Sequence, residues 1–555
     1  MRFSTRSKVG GLLSLLAIVT IITAFMLGGV VFRGPTTHAS NAQYSATPDT
    51  LAPAGTVNLR NVPTNPSLAA GASFTRGPRP IHPVKAPGLS GAQPIPSSPI
   101  TDQTKSLITK FNGVSSRDSA VTNFGAQFEP PDQGLCVGNG FVVEPVNSAF
   151  TIYHTNGSVV AGPFNVNVLF GEGLKQFTSD PRCYFDKATN TWFAIILFIN
   201  APFTGARTDL AVNTSGDPTT TWTFYHINGT DQKGPGCPCF GDQPLLGIDQ
   251  ENLYISTNEF SILGPQFNGA QIYAISKADL VSLAQHIHLV HFSHLSIGGA
   301  IAASVQPAIT TGSSNAEYFM NSLDPNGTGD HRLGVWAITD EQAVSEGKIP
   351  TLSSLVITSE AYAVPPGAQQ KGASSLLDSG DDRMQQVQFI NGDLWGALDT
   401  AVTILNDTTK RAGAAWFEVQ PQLDASGQLI SSASIVRQGY VATLGNYLLY
   451  PAIQVAPEGT AAIVMTLSGQ NFFPSAVYTG LQEGRNSFGA IHIALHGTTF
   501  YDPTATRWGD YSWAAFDPDT NNFWLATEYM PPRSSQTVNR KADWGTAVME
   551  VSSES

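Results

Sequence analysis

Asp180-Pro181-Arg182-Cys183-Tyr184-Phe185-Asp186 runs through a turn at Thr189-Asn190 into Trp192-Phe193-Ala194-Ile195-Ile196-Leu197. Near the other end of the chain, Gly509-Asp510-Tyr511-Ser512-Trp513-Ala514-Ala515-Phe516-Asp517 does the same through Thr520-Asn521 into Trp524. The shared unit is an acidic or proline-bearing start, an apolar strand, a tight turn and a second apolar strand. It recurs at Gly241-Asp242-Gln243-Pro244 before Leu253-Tyr254, and at Gln306-Pro307 before Tyr318-Phe319-Met320. Further copies are Asp382-Arg383 before Leu394-Trp395, Tyr450-Pro451 before Ala462-Ile463, and an early one at Pro131-Asp132-Gln133 before Phe141-Val142-Val143. Seven starts at a mean spacing of about 63 residues leave room for a four-stranded blade each. One such unit cannot bury its apolar faces, whereas a closed ring of them can. The reading is an all-β, seven-bladed β-propeller over residues 116–555, with Val121–Phe128 and Trp544–Val551 sharing the last blade. The fourth start has no acid, so six blades with a long insertion are the alternative.

Composition agrees. Only 13% of residues are charged, while Gly (52) and Pro (36) are abundant. That mix suits short strands and many turns rather than helical bundles. A net charge of -13 argues against a nucleic-acid partner. Helix is expected only at Ser276–Gln285, with another turn at Ile338–Ser345.

Arg2, Arg6 and Lys8 precede an uncharged stretch, Val9–Phe32, and Thr37-His38-Ala39 offers a cleavage site. Residues 1–39 read as a signal peptide or a retained N-terminal membrane anchor, and both place the body outside the cell. The membrane is met only through this segment. Residues 40–115 carry eleven prolines and no hydrophobic periodicity, the pattern of a disordered linker. The body is expected to be monomeric. Cys136, Cys183, Cys237 and Cys239 are even in number, as two extracellular disulfides require, and three pairings are open. A bond between Cys237 and Cys239 would be strained, and a CxC zinc half-site is the other reading of that pair.

Ser215-x-Asp217-Pro-Thr-Thr-Thr221-Trp222 resembles the Asp box of sialidase-like propellers, with Thr219 in place of the glycine. The resemblance implies a structural hairpin turn on a blade's periphery. Pro130-Pro131-Asp132-Gln133-Gly134-Leu135-Cys136-Val137-Gly138 and Arg507-Trp508-Gly509-Asp510-Tyr511-Ser512 are similar to motifs of exported bacterial propeller proteins of poorly defined function. Asn258-Glu259-Phe260 and Thr527-Glu528-Tyr529 at second-strand ends fit that group too. This likeness spans about residues 120–552 and implies a fold, not a reaction.

The candidate site follows from the repeat. In a propeller, blade starts converge on the central channel, so Asp132, Asp180, Asp242, Asp382 and Asp510 would form a ring. Converging carboxylates must meet cations, bind a metal such as Ca2+ or share protons. The plainer reading is that each Asp caps its own turn. Arg182, Arg383 and Arg507 are cations that would meet the acids, and a sialidase holds its substrate carboxylate with three arginines. Tyr184, Tyr511 or Tyr529 with Glu259 or Glu528 would complete such a site, but the arginine-bearing entry motif of sialidases is missing. The central-channel candidates are therefore Asp132, Asp180, Asp242, Asp382, Arg383, Asp510, Tyr511 and Glu528. Asp324-x-Asn326-x-Thr328-x-Asp330 has the oxygen spacing of a calcium loop without its terminal glutamate. His286-x-His288-x-x-His291-x-x-His294 invites a zinc reading, but on a strand the third histidine falls on the opposite face from the first two. HExxH, G-x-S-x-G and P-loop signatures are absent. The expectation is an extracellular binding or scaffold propeller for a glycan or a cell-surface protein, with a sialidase-like glycoside hydrolase as the alternative.

Overall fold

The computed structural model describes residues 43–63, 73–75, 94–200, 204–232, 236–324, 327–501, 507–532 and 543–554. The expected export segment, residues 1–39, lies outside them. No described helix is long and apolar enough to cross a membrane.

The regular structure of the described residues is almost entirely strand. Six regions are each a meander of four antiparallel strands: 136–165, 177–228, 239–297, 306–362, 384–441 and 446–495, here sheets 1 to 6. Sheet 7 has three strands of its own, Trp513–Asp517, Asn522–Tyr529 and Gly545–Val551. Its fourth is Leu107–Ser115, paired antiparallel to Gly545–Val551. The acid-free start at Gln306-Pro307 opens a sheet like the others. The first strands lie beside one another in chain order, and that of sheet 7 lies beside that of sheet 1.

A strand buried on both faces should be apolar at every position, and sheet 2 shows why. Trp192, Ala194 and Ile196 enter the cluster shared with sheet 1, while Phe193 and Ile195 enter the cluster shared with sheet 3. Side chains alternate across a strand, so one continuous apolar run serves two interfaces. Comparable clusters lie between sheets 3 and 4, 4 and 5, 5 and 6, and 6 and 7. Sheets 7 and 1 share Leu135, Val142, Tyr153, Trp513, Trp524 and Val548. Cys136–Cys183 is a disulfide joining the first strands of sheets 1 and 2, and Cys237–Cys239 is the second. The expectation against a Cys237–Cys239 bond is thereby overturned, and with it the zinc reading of that pair.

Two expectations about the N-terminal region need correction. The strand that completes sheet 7 is Leu107–Ser115 rather than Val121–Phe128. Ser115 and Asp118 form a reciprocal capping box that turns the chain into the helix Ser116–Thr122. The segment read as a linker also supplies outer strands. Gln43–Leu51 pairs with Ile287–Ile297 of sheet 3, Gly55–Asn58 with Thr221–Asn228 of sheet 2, and Ile100–Thr101 with Ile491–Leu495 of sheet 6. These are edge strands, where a residue such as Pro48 is tolerated because no further strand needs its N–H. Elsewhere the helix Lys277–Val281 occupies the first expected helical stretch, and the second is a single turn, Glu341–Ala343.

The closing strand is held from sheet 1 by a buried carboxyl. Glu144 Oε2 accepts the Val114 N–H at 2.9 Å, and the Thr546 hydroxyl donates to Val114 O at 3.0 Å. A Cβ at Gly113 would lie 2.3 Å from Glu144 Oε2, so only glycine fits there. Burial pushes the Glu144 carboxyl from its ordinary 4.5 up to about 7. The folded chain then holds this proton where the unfolded chain releases it, so stability falls as pH rises from about 4.5 to about 7 and levels off above. Glu144→Gln should flatten that fall, which amounts to up to about 3 kcal/mol. Urea midpoints of both proteins across the window test this, and parallel pH profiles would contradict it.

Candidate functional site

Each predicted repeat start carries a residue in the left-handed backbone region at or close to it. These are Asp132 (φ 47°), Asp180 (59°), Gln243 (50°), Ser304 (46°), Gly380 (67°), Tyr450 (53°) and Gly509 (68°). Five of the seven lack the freedom of glycine, so the conformation is held against a local cost. A side chain six residues after the start of a second strand does much of the holding. Asn147 Oδ1 accepts the Asp180 N–H at 2.7 Å, Asn258 Oδ1 that of Ser304 at 2.8 Å, and Asp399 Oδ1 that of Tyr450 at 2.8 Å. Each of these bonds crosses from one sheet to the next. Glu528, at the same step of sheet 7, accepts the Gly509 N–H at 2.6 Å within its own sheet. Glu528 is thus a structural anchor, and burial raises its carboxyl well above the usual range.

The left-handed turn aims the start residues of sheets 7, 1 and 2 at one point. Asp132, Asp180 and Asp510 each offer a carboxylate oxygen, and these lie within 4.8 Å of one another. Asp132 and Asp180 are buried, and Asp510 is half-buried. Asp132 Oδ2 accepts from Asn147 Nδ2 at 2.7 Å, while its Oδ1 has no hydrogen-bond partner. Burial, then the charges of Asp510 and Asp180, raise Asp132 well above the carboxylate range. Burial also raises Asp510, to about 6, with Asp180 adding and Arg507 opposing.

Arginines answer this charge. Arg507 Nη2 pairs with Asp510 Oδ1. Burial alone would lower the Arg507 guanidinium, but Asp510, Tyr450, Asp378 and Asp132 together outweigh it and raise it. Arg182 lies over the Tyr511 ring, 3.2 Å from its centroid, and 4.7 Å from that of Trp513. The Tyr511 hydroxyl reaches Pro181 O at 3.4 Å, so this tyrosine supports the cluster from beneath. Arg383 makes a two-bond pair with Asp381, 2.7 Å on each arm, and also reaches Gln243. Asp242 and Asp510 both add to the field on Arg383.

Of the expected ring, then, Asp132, Asp180 and Asp510 meet, and Asp242 stands beside Arg383. Asp382 does not join them: it is fully buried, and its charge is felt by the Tyr362 hydroxyl. Asp381, one residue earlier, takes the place at Arg383. The sequence reading also passed over Asn147, whose only signal was its place beside a second-strand end. Chemically, the cluster offers hard oxygen donors of the kind calcium takes. It also sets Asp132, raised well above the carboxylate range, beside Asp510, raised to about 6, and unequal carboxyls are what acid–base chemistry requires.

The remaining candidates stand apart. Asp324 accepts the N–H groups of Thr328 and Gly329 at 3.0 and 2.7 Å, and Asp330 pairs with Arg332 at 2.6 Å. Asn326 lies outside the described residues. His288 is bound to Asp279, and His291 is stacked on Tyr273 at 4.3 Å and bound to Gln271. Burial lowers His291 to about 4. These histidines form no common site among the described residues. In the Ser215–Trp222 turn, Asp217 Oδ1 accepts the Thr219 N–H at 2.9 Å, and the Trp222 indole donates to Pro218 O at 2.9 Å. Those bonds stabilise a hairpin between the third and fourth strands of sheet 2.

No known protein family matches the chain, and no curated protein matches it. Several solved structures are similar at low identity. The Dos1 propeller is 8% identical, over 90% of this chain and 95% of that one, with a TM-score of 0.35. An endosialidase of phage phi92 is 10% identical, over 67% and 66%, with a TM-score of 0.37. A Penicillium chrysogenum α-L-arabinanase complexed with arabinobiose is 10% identical, over 80% and 99%, with a TM-score of 0.34. At these values the likenesses carry no functional argument.

The cluster predicts its own energetics. Arg507→Met leaves buried carboxylates without their partner and should cost roughly 3–5 kcal/mol of unfolding free energy. Adding Asp132→Asn should recover part of that loss. Urea unfolding of the two variants checks it, and a neutral Arg507→Met would show that the charges are solvated.

Proposed function

We propose that the seven sheets are the blades of one closed propeller, exported through residues 1–39, which binds carbohydrate at the cluster of Asp132, Asp180, Asp510, Arg507 and Arg182. The reading of ring and closure draws support from the apolar cluster between sheets 7 and 1 and from the pairing of Leu107–Ser115 with Gly545–Val551. First strands of six sheets, and the turn that follows the first strand of sheet 3, also line one cavity of about 390 Å³. Two disulfides agree with an extracellular setting.

The observation that carries the binding reading is the meeting of three carboxylates from three sheets against Arg507, with Arg182 laid on aromatic rings. Sugar hydroxyls bind through such paired acceptors and donors. The raised Asp132 and Asp510 favour a second reading, a glycoside hydrolase in which one carboxyl donates a proton and another acts on the anomeric centre.

A glycan array probed with the wild-type chain should give binding that Asp510→Asn weakens by roughly tenfold or more, the loss of a charge-assisted hydrogen bond. Turnover of a fluorogenic glycoside by the wild type, abolished in Asp510→Asn, would replace binding with hydrolysis. Failure of both assays would leave the cluster a structural core.

A further inference from the structure

A second cavity, of about 600 Å³, opens between sheets 6 and 7, and none of its lining residues belongs to the acid cluster. Its walls come from the second and third strands of sheet 6, from Phe523 and Val551 of sheet 7, from the segment 103–106, and from the loop 482–489. The lining has an unexpected charge. In the whole chain Asp and Glu outnumber Lys and Arg by 42 to 29, yet none of the eighteen lining residues is acidic. The ionisable side chains there are Lys105, Arg485, His492 and Tyr478. Lys105 and Arg485 are both exposed at the rim, and neither pairs with a carboxylate among the described residues.

The interior is built for hydroxyls. Thr460 lines the cavity, and its Oγ1 is buried without a hydrogen-bond partner. Such a group carries a desolvation cost that a ligand hydroxyl would remove. Tyr478 Oη and Ser106 Oγ lie 2.9 Å apart, a pair in which either can donate and leave the other's lone pairs for a ligand. The Tyr478 ring is stacked with His492 at 5.1 Å, and Phe523 adds a second apolar surface. Two basic side chains at the mouth, hydroxyls within and aromatic faces on the walls suit one class of ligand: a small hydroxylated anion, of which a uronic acid is the carboxylate form and a sugar phosphate the phosphate form.

We infer that the cavity between sheets 6 and 7 is a binding site for such acidic saccharides, its anion held by Arg485 and Lys105 and its hydroxyls by Thr460, Tyr478 and Ser106. This site is independent of the proposal for the acid cluster, and variants of either leave the other's residues untouched.

Isothermal titration calorimetry on the full chain with galacturonate, glucose 6-phosphate and neutral galactose tests it. At least one of the two anions should bind, and galactose should bind roughly tenfold or more weakly than it. Whichever anion binds more tightly identifies the source, and either supports the site. Arg485→Gln with Lys105→Gln should reduce anion affinity by roughly tenfold or more and flatten its dependence on salt. These are exposed positions, so an unchanged melting temperature shows that the fold is intact. Asp510→Asn should leave anion binding unchanged. The inference is overturned if neither anion binds, if galactose binds as tightly, or if the double variant binds as the wild type does.

Discussion

Each of sheets 1 to 7 depends on apolar contact with two neighbours. A four-stranded meander has two faces, and in sheets 1 to 7 both are apolar. The run Trp192–Ile199 is buried at every position because alternate side chains serve different interfaces. Removing a sheet would expose two clusters at once, so stability is a property of the succession rather than of any member. The contact between sheets 7 and 1 is therefore the one on which the rest depends, and it is made by Trp513 and Trp524 packed on Leu135 and Tyr153.

That packing creates an electrostatic problem near the starts of the first strands. Strands that approach one another there bring their start residues together. Two of those residues, Asp132 and Asp180, are aspartates in the left-handed backbone region. The backbone is held by amide and carboxyl side chains reaching across from neighbouring sheets, and the charge by Arg507, Arg182 and Arg383. The same geometry that supports the fold leaves Asp132 Oδ1 without a partner. A group buried at that cost is where a ligand hydroxyl or cation would be most favoured.

The two proposed ligand sites differ for a physical reason. The acid cluster is formed by repeat equivalence: one position per sheet, several times over. The cavity between sheets 6 and 7 has no such origin. Its parts come from the N-terminal segment, from a loop and from two sheets, and no periodicity relates them.

Much of the fold was legible because it repeats. The seven starts could be read from Asp180-Pro181 and its counterparts, and each lies within three residues of a left-handed residue. Hairpin chemistry was legible as well: Asn190 and Asn521 take the same left-handed turn position. The edge strands were not, since Gln43–Leu51 satisfies its hydrogen bonds on one side only and tolerates a proline that argues against a strand. The choice of Leu107–Ser115 as closing strand also escaped, because its partner lies more than four hundred residues away. Sequence alone determined the strand–turn unit and its recurrence, which depend on local alternation and turn residues. Tertiary structure decided which acids meet, that Asp381 rather than Asp382 holds Arg383, and which cysteines join. Those outcomes depend on distances between sheets, and no local pattern encodes such a distance.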